Sequence, residues 1–530
     1  MRSDENLAHR LKELNEIGIA LSRQGDLDHL LETILLAAKR VANADAGTLY
    51  LHDPEQRVLR FAILRTDSLK VAMGGTSGVP IRFDPISLYD KEGRPDHKMV
   101  VTHAALSGET VNLPDAYAAE EYDFSGTKSF DAKNGYRSTS FLTVPMLNHE
   151  DEVIGVLQLI NAQDPQSGGI VPFDEDHQHL LESLASQAAI VLTNRRLIEQ
   201  LEELFESLVV LINTAIDDKS PYTGGHCARV PALTMMLAEA AGADMTDAQR
   251  HELKIAALLH DCGKITTPVD IVDKATKLQT IFDRIHLLDT RFEVLKRDAE
   301  IELLRALAAG GGEASLRAAY EARLRQLEDD RAFLRRCNVG GEFMAEEDCA
   351  RVRRIAAYRW RGADGRTADF LSEDEVKNLT IRAGTLTEEE RRIINRHIEV
   401  SIKMLESLPW PKQLKNVPEF AGGHHERMDG KGYPKGLTRE QMSVQARMIG
   451  IADIFEALTA ADRPYKKGKT LSEALEILGK MKLGGHIDPD LFDVFVREKV
   501  YLAYAKQFLP PAQIDAVDES RIPGYTPKAG

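Results

Sequence analysis

The chain has 530 residues, of which 43% are hydrophobic and 28% charged, with a net charge of −16; this length suits about three or four folded units, and the apolar content excludes wholesale disorder. The acidic balance argues against binding a nucleic-acid polymer, because phosphate neutralisation needs a basic surface. No apolar run reaches the roughly 18 residues of a membrane span, the start lacks a signal peptide's apolar stretch, and four cysteines form no C-x-x-C pair, so we expect a reduced, cytoplasmic protein without a membrane segment.

The first part of the chain predicts an α+β domain. Apolar residues at helical spacing indicate helices over 7–24 and 27–44. Alternating apolar residues then indicate strands, which occupy 46–53, 57–65, 138–147 and 153–162. A long closing helix is predicted to begin near Phe173 and Asp174 and to continue to about residue 217.

This arrangement resembles a GAF domain over residues 25–195, chiefly through the strand VIGVLQLINAQ and the helix after Phe173. Cyclic-nucleotide-binding members often carry Asn-Lys in this strand, and later a Phe followed by three residues and Asp-Glu. Here Ala162 follows Asn161 and Asp174 directly follows Phe173, which argues against cyclic-nucleotide binding. The resemblance implies a sensor for an unidentified ligand, and the alternative is a dimerising or packing domain without one. No cysteine lies in this segment, which excludes a thiol-attached chromophore.

The closing helix carries a heptad seam for a parallel dimer. Its apolar positions are spaced alternately four and three residues apart, as the a and d positions of a coiled coil are. These positions are Leu197, Leu201, Leu204, Leu208, Leu211 and Ala215. We therefore expect a homodimer through residues 197–215, the alternative being a helix packed on its own domain.

The second half reads as helical almost throughout. Thr387 and Glu390 form a capping box at the start of one helix. Residues 279–383 are rich in Arg, Glu, Ala and Leu around the turn 310–312, and contain no cluster of His and Asp. We interpret this stretch as a helical insertion in a catalytic domain.

Two dense motifs point to metal chemistry. The first is His260-Asp261, followed by Lys264, at the end of an amphipathic helix. An adjacent imidazole and carboxylate can ligate one metal together, or the carboxylate can bridge two metals. The second is HHERMDGKGYP at 424–434, where two neighbouring imidazoles gain little from packing and Gly430 and Gly432 are turn residues that let the loop close over a site.

Three further residues are candidate ligands, because purely structural roles for all of them together would carry a high free-energy cost. His226 begins a helix, His397 lies on an apolar helical stripe, and Asp453 is flanked by Ile451, Ala452, Ile454 and Phe455. A buried carboxylate without a partner is expensive, and a pair of metal ions would offset that cost.

Together these motifs resemble the HD-GYP domain, the phosphodiesterase branch of the HD superfamily, over about 200–278 and 384–500. The resemblance implies an all-α domain with a two-iron or two-manganese centre that hydrolyses cyclic di-GMP to pGpG or GMP. Tyr222 stands where some members carry a Glu that supports a third metal, so two divalent ions are expected. By position the ligands would be His226, His260, Asp261, His397, His424, His425 and Asp453, with Asp261 bridging.

The resemblance also suggests roles in catalysis and substrate binding. Asp261 and Lys264 would be catalytic, Lys264 by binding a phosphate oxygen or assisting the leaving oxygen. Arg463 and Lys466 are candidate clamps for the phosphates, the alternative being a solvated basic patch. The loop residues expected beside the substrate are Asp429, Gly430, Gly432, Tyr433 and Pro434.

The sequence thus predicts a multidomain chain in which an α+β GAF-like sensor domain regulates an all-α phosphodiesterase. A non-catalytic receptor for the dinucleotide or for a partner protein is one alternative, and a phosphohydrolase for another nucleotide is a second. The expected segments are an N-terminal helix (1–24), the GAF-like domain (25–195), a signalling helix (196–216), the HD-GYP domain (217–505) with its helical insertion (about 279–383), and a C-terminal tail (506–530).

Overall fold

The computed structural model describes residues 16–21, 26–219, 225–242, 244–341, 343–362, 365–461 and 468–526. The chain divides into two compact units, Met1–Leu204 and Phe205–Gly530. The predicted fold class is confirmed, since the first unit combines helices with an antiparallel sheet and the second is mainly helical. The finer segment boundaries remain predictions.

An antiparallel sheet forms the centre of the first unit. Its main path runs in the order β3-β2-β1-β7-β6-β5, while β4 pairs with β2 and β8 with β7. Each of the four predicted strands corresponds to a strand of this sheet. The strands are β1 (Ala44–Asp53), β2 (Val58–Thr66), β3 (Val71–Gly74), β4 (Ile86–Ser87), β5 (Val111–Leu113), β6 (Phe141–Leu147), β7 (Val153–Gln163) and β8 (Ile170–Val171).

Helices cover the sheet because its strands are apolar on both faces. Leu49 of β1 is buried in the same apolar cluster as Leu35 of the helix Leu27–Val41 and Leu181 of the helix Glu175–Lys219. Its neighbour Tyr50 joins a second apolar cluster with Val101, as alternation along a strand requires. The helices are α1 (Leu27–Val41), α2 (Val100–Ser107), α3 (Ser125–Asn134) and α4 (Glu175–Lys219).

Outside the predicted insertion, the helices of the second unit pack around one apolar core. That core includes Val230, Leu253, Phe420, Phe455 and Phe495. The helices outside the predicted insertion are α5 (His226–Ala240), α6 (Asp247–Leu259), α7 (Val269–Val272), α12 (Glu388–Asn395), α13 (His397–Glu406), α14 (Val417–Gly422), α15 (Val444–Thr459), α16 (Leu471–Leu483), α17 (Pro489–Arg497) and α18 (Val500–Phe508).

The predicted insertion has a core of its own. Leu288, Phe292, Leu327, Leu334 and Phe370 are buried together there. The segment also contains a two-stranded hairpin that the helical interpretation did not include, because its strands are only three residues long. Its elements are α8 (Ile285–Ala308), α9 (Glu313–Asn338), α10 (Glu346–Ala356), β9 (Arg359–Arg361), β10 (Thr367–Asp369) and α11 (Glu373–Leu379).

No helix within the described residues is both long enough and apolar enough to cross a membrane.

Candidate metal centre

The seven predicted ligands come from five separate places in the second unit. His226 is the first residue of α5, and His260 and Asp261 follow directly after α6. His397 is the first residue of α13. His424 and His425 follow α14, and Asp453 lies within α15. The fold therefore collects residues that are far apart in the sequence.

The first group of close side chains contains His226, His260 and Asp261. One possible ligand atom from each lies within 4.8 Å of the others. Asp261 Oδ2 is 3.3 Å from His226 Nε2 and 3.2 Å from His260 Nε2. Asp453 Oδ1 lies 3.3 Å from His226 Nε2 and 3.8 Å from His260 Nε2, so a second carboxylate faces the same two imidazoles.

The second group contains His397, His424 and His425, whose ligand atoms also lie within 4.8 Å of one another. The other oxygen of Asp261, Oδ1, is 3.2 Å from His397 Nε2 and 4.0 Å from His424 Nε2. The Asp261 carboxylate thus turns one oxygen toward each group. This is the arrangement that a carboxylate shared by two cations requires.

Backbone carbonyls hold three of the imidazoles in one orientation. The Nδ1 atoms of His260, His397 and His424 lie 2.8, 2.5 and 2.6 Å from carbonyl oxygens three residues earlier. A carbonyl only accepts, so each Nδ1 carries the proton and each Nε2 presents a lone pair to the centre. Histidine ligands of metal ions are oriented in this way.

Three buried acceptors at the centre fit a cation. Asp261 Oδ1, His397 Nε2 and His424 Nε2 are shielded from solvent and have no hydrogen-bond partner among the described residues. Leaving a buried polar atom unsatisfied costs about 1–3 kcal/mol, and three such atoms facing one another make this a poor site without a ligand. The donor set of imidazoles and carboxylates suits divalent transition metals.

In the second histidine group and at Asp261, the electrostatics favour the protonation states that metal binding needs. At His226 they do not: burial would lower the pKa of this imidazole, but its hydrogen bonds to Asp261, Asp453 and Glu456 hold that pKa well above its usual range in the metal-free protein. Burial lowers the pKa of His425 to about 4, and burial with the neighbouring imidazoles lowers the pKa of His424 well below its usual range. Burial by itself would raise the pKa of Asp261, but Lys264 and His260 hold it well below its usual range. Neutral imidazoles and an ionised carboxylate are the forms that bind metal ions.

Gly263 explains how the Asp261 segment approaches α13. A Cβ at this position would lie 2.0 Å from the carbonyl oxygen of His397. The Gly263 amide instead donates a 2.8 Å hydrogen bond to Ser401 Oγ. Only a glycine allows the 3-10 helix Cys262–Thr266 to pack so close to His397.

His397 stands at a break in the helix predicted to start at Thr387. The capping box of Thr387 and Glu390 is present, but the helix ends at Asn395 and a new one begins at His397. His397 is therefore held at the start of α13, where its side chain faces Asp261.

The motif at 424–434 folds as a tight loop against the second histidine group. The Tyr433 ring stacks on His425 with centroids 4.9 Å apart, and the Tyr433–Pro434 peptide bond is cis. A Cβ on Gly432 would lie 2.4 Å from the Arg427 amide nitrogen, while Gly430 has φ +73°, so both glycines are needed for the loop to fold.

Asp429 and Lys264 also have defined partners. The Asp429 carboxylate accepts hydrogen bonds from the Arg427 guanidinium at 2.8 and 3.0 Å, which closes the loop on itself. Lys264 Nζ lies 2.5 Å from Asp261 Oδ2 and its side chain is 22% exposed, so it borders both the centre and solvent. Three positions weighed from the sequence, Tyr222, Arg463 and Lys466, lie outside the described residues.

Sequence reasoning missed two buried acids. Glu456 Oε2 lies 2.5 Å from His226 Nδ1, and Glu456 Oε1 accepts from Arg229 at 2.7 Å. Glu426 accepts from the Lys435 and Leu437 amides and so fixes the return of the 424–434 loop. A signal for Glu456 existed, because it lies one helical turn after Asp453 and these two acids interrupt the otherwise apolar stretch 448–458.

A cleft of about 470 Å³ opens beside the second group. Its walls include metal-ligand candidates, basic side chains and a hydrophobic strip, a combination that suits a ligand with phosphates and flat rings. The lining residues are His424, His425, Arg427, Lys431, Tyr433, Asp453, Ile454, Ala457, Leu458 and His486.

Comparison with known families agrees with this division. A family model described as GAF domain matches residues 26–192, and two described as HD domain match residues 223–328 and 373–491. A GAF domain of an Acinetobacter phosphoenolpyruvate-protein phosphotransferase is 18% identical, covering 36% of this chain and 98% of that one, with a TM-score of 0.27.

Named relatives align with a limited part of the chain. A cyclic di-GMP phosphodiesterase of Pseudomonas aeruginosa is 40% identical over 22% of this chain and 27% of its own length. The 3'3'-cGAMP-specific phosphodiesterase 1 of Vibrio cholerae is 40% identical over 22% and 26% of the two chains. The cyclic di-GMP phosphodiesterase response regulator RpfG of Xanthomonas campestris is 35% identical over 24% and 32%. The chain thus aligns with about a third or less of each of these relatives. It contains a GAF domain followed by an HD domain, as the sequence predicts.

Proposed function

We propose that the HD domain is a metal-dependent phosphodiesterase that hydrolyses cyclic di-GMP to pGpG, GMP or both. The observation that carries this proposal is the position of Asp261, whose two carboxylate oxygens face two separate histidine groups. Two divalent ions, iron or manganese, would be held there by the seven ligands expected from the sequence. Such a pair supplies a strong nucleophile from water at neutral pH and neutralises phosphate oxygens.

The protein's own side chains would position the substrate's phosphate. Lys264 places its ammonium group 2.5 Å from Asp261 Oδ2 at the solvent edge of the centre, where it can bind a phosphate oxygen or stabilise the leaving oxygen. The stacking of Tyr433 on His425 forms an aromatic wall at the cleft. Asp429 shapes the loop through Arg427. Arg463 and Lys466 remain predicted phosphate clamps.

The choice of a cyclic dinucleotide is supported by the cleft and by the relatives. The lining of the cleft includes the basic side chains Arg427 and Lys431 and the apolar side chains Ile454 and Leu458, so both the phosphates and the bases of a dinucleotide would find suitable contacts there. Relatives named for cyclic di-GMP and for 3'3'-cGAMP are both similar to this HD domain. A hybrid cyclic dinucleotide is therefore the second candidate substrate.

We further infer that the GAF domain regulates the enzyme and that α4 joins two copies in a homodimer. The leucines of the predicted seam are exposed, with Leu201 at 65% and Leu211 at 62%. Residues on another face of the same helix, Val209 and Ile216, are buried in the core of the second unit. The seam is thus left available for a second copy.

The proposal is tested by loading the purified protein anaerobically with Fe²⁺ and separately with Mn²⁺. Each sample is incubated with cyclic di-GMP, 3'3'-cGAMP and linear pGpG, the products are separated by chromatography, and the metal content per chain is measured. We expect hydrolysis of cyclic di-GMP with about two metals per chain. Tight binding of the dinucleotide without hydrolysis, in samples that contain metal, would instead assign the protein to the receptor class.

A further inference from the structure

The last turns of α4 contact the metal-binding segments of the second unit. Val209, Asn213 and Ile216 lie on its buried stripe, and Phe205 meets Trp410 edge-on at 6.0 Å. This packing holds the end of the helix against the unit that carries the site.

Lys219, the last residue of α4, reaches the turn that follows Asp261. Its Nζ donates to the carbonyl oxygens of Lys264 and Ile265, at 3.1 and 2.5 Å. Both carbonyls belong to the 3-10 helix Cys262–Thr266. One ammonium group therefore fixes the backbone that carries Lys264 and that follows Asp261 directly. Hydrogen bonds from a charged donor are stronger than neutral ones, so this contact can set the position of the turn.

Asp217 makes a similar contact with the start of α5. Its Oδ2 accepts a 3.1 Å hydrogen bond from the Gly225 amide. Gly225 has φ +82° and immediately precedes His226. The position of the His226 backbone is thus tied to the last turn of α4.

Glu206 adds a third connection. Its carboxylate lies 3.3 Å from Lys254 Nζ and 3.5 Å from His251 Nδ1 on α6. Helix α6 ends at Leu259, directly before His260. The same helix end therefore contacts each of the three segments that supply the first ligand group and Lys264.

We propose that Lys219 and Asp217 are positioning residues for the metal centre, so that a displacement of the end of α4 changes the placement of His226, Asp261 and Lys264. This inference rests on the proposed function, and it identifies where a signal carried by α4 would enter the site. It concerns the protein's own backbone geometry and so can be tested without substrate.

The test uses the full chain with Lys219→Met, which removes the donor but keeps the length, and Lys219→Arg, which keeps a charged donor. Lys480→Met is the matched control, because Lys480 is an exposed lysine of α16 that pairs with Glu476. Hydrogen–deuterium exchange of the metal-free protein is compared over residues 261–267. Mn²⁺ binding, kcat and KM are then measured on the same variants.

For Lys219→Met we expect faster exchange confined to residues 261–267, weaker Mn²⁺ binding and lower kcat, the latter two by about ten-fold, as is typical when a supporting contact of a metal ligand is lost. KM should stay close to that of the wild type. Lys219→Arg should recover most of each effect, and Lys480→Met should match the wild type. Asp217→Ala should instead increase exchange locally at residues 225–230, because Asp217 accepts its hydrogen bond from the Gly225 amide.

Unchanged exchange at 261–267 in Lys219→Met, an increase spread evenly over the second unit, or no recovery in Lys219→Arg would each overturn the positioning role. Failure of the proposed function is distinguishable from these outcomes. A wild-type protein that hydrolyses no cyclic dinucleotide still yields exchange and Mn²⁺ data that decide whether Lys219 positions the turn.

Discussion

Asp261 is the residue on which the candidate centre depends. Its oxygens lie within 3.3 Å of His226, His260 and His397, and its side chain is almost completely buried. Lys264 is the cation that compensates it in the protein itself. One carboxylate therefore connects both histidine groups. Without it, the two groups would be two separate sets of ligands and would not share a ligand.

Replacing Asp261 by Asn should remove metal binding and activity together. The amide keeps the volume of the side chain but lacks the negative charge and offers only one acceptor oxygen, so it can no longer present an oxygen to both histidine groups. We expect metal content to fall from about two ions per chain to well below one, with an unchanged helical circular dichroism spectrum.

Glu476→Gln is the control for this change, because Glu476 is an exposed acid on α16 whose contact is with Lys480. Full metal occupancy in Asp261→Asn would contradict the shared-carboxylate geometry.

Gly263→Ala should destabilise the second unit and disturb the centre. The new Cβ would lie 2.0 Å from the His397 carbonyl oxygen and 2.6 Å from the Ser401 amide nitrogen, so backbone has to move. Overpacking of this kind costs about 1–3 kcal/mol in free energy of unfolding. The two tryptophans, Trp360 and Trp410, both lie in the second unit, so their fluorescence during urea denaturation measures this loss.

Gly341→Ala is the matched control, since a Cβ at Gly341 would meet no atom within 4 Å in the described part of the chain. Equal stability of the two variants would mean that the turn can shift away from α13 at little cost.

At the scale of elements, sequence motifs and periodicity predicted the main helices, strands and ligand positions, but they did not predict several details of packing. The strands β1, β2, β6 and β7 follow from alternation, and the long helix α4 follows from helical spacing, whereas the four shorter strands of the sheet were not predicted. The motif at 424–434 stands out because two neighbouring imidazoles gain little from packing. The break between Asn395 and His397, the β9–β10 hairpin and the role of Glu456 were not predicted. The hairpin was missed because its strands are only three residues long. Glu456 was missed because its contact with His226 joins distant segments of the chain, which a local pattern does not encode.

Helix α4 also contains a polar residue that is buried although it lies outside the a and d positions of the predicted seam. Asn213 is 6% exposed on the stripe that packs into the second unit, and neither amide atom has a hydrogen-bond partner among the described residues. A buried amide without partners costs about 1–3 kcal/mol. The packing of α4 on the second unit is therefore weaker than its apolar neighbours alone would make it.

Asn213→Leu should consequently raise the free energy of unfolding of the second unit, by about 1–2 kcal/mol, because an apolar side chain of similar size pays no such cost. Tryptophan fluorescence during urea denaturation measures the change. Asn378→Leu should have the opposite sign, since Asn378 is 4% exposed but accepts from Lys274 and donates to the Asp374 carbonyl. A loss of stability in Asn213→Leu would reveal a partner for this amide.

At the scale of the whole molecule, one face of α4 packs on the second unit and another face is exposed. Val209 and Ile216 face the core of the second unit, whereas Leu204, Leu208 and Leu211 remain 49–62% exposed. A solvent-exposed row of leucines at a and d spacing is costly for a monomer and is the expected surface of a two-stranded coiled coil. The same helix thus connects the proposed dimer contact to the segments that carry the metal ligands.

Leu208→Glu should therefore convert the proposed dimer to a monomer, because two carboxylates would face each other at an a position of a short seam. Val210→Glu is the matched control: Val210 is 55% exposed and only two residues away, but it lies at an outward c position, so this variant should remain dimeric. Light scattering coupled to size-exclusion chromatography gives the mass of each, to be compared with 58.9 kDa for one chain. If both variants stay dimeric, the two copies associate through another surface. If the wild type is itself a monomer, the exposed leucines of α4 do not form a homodimer seam.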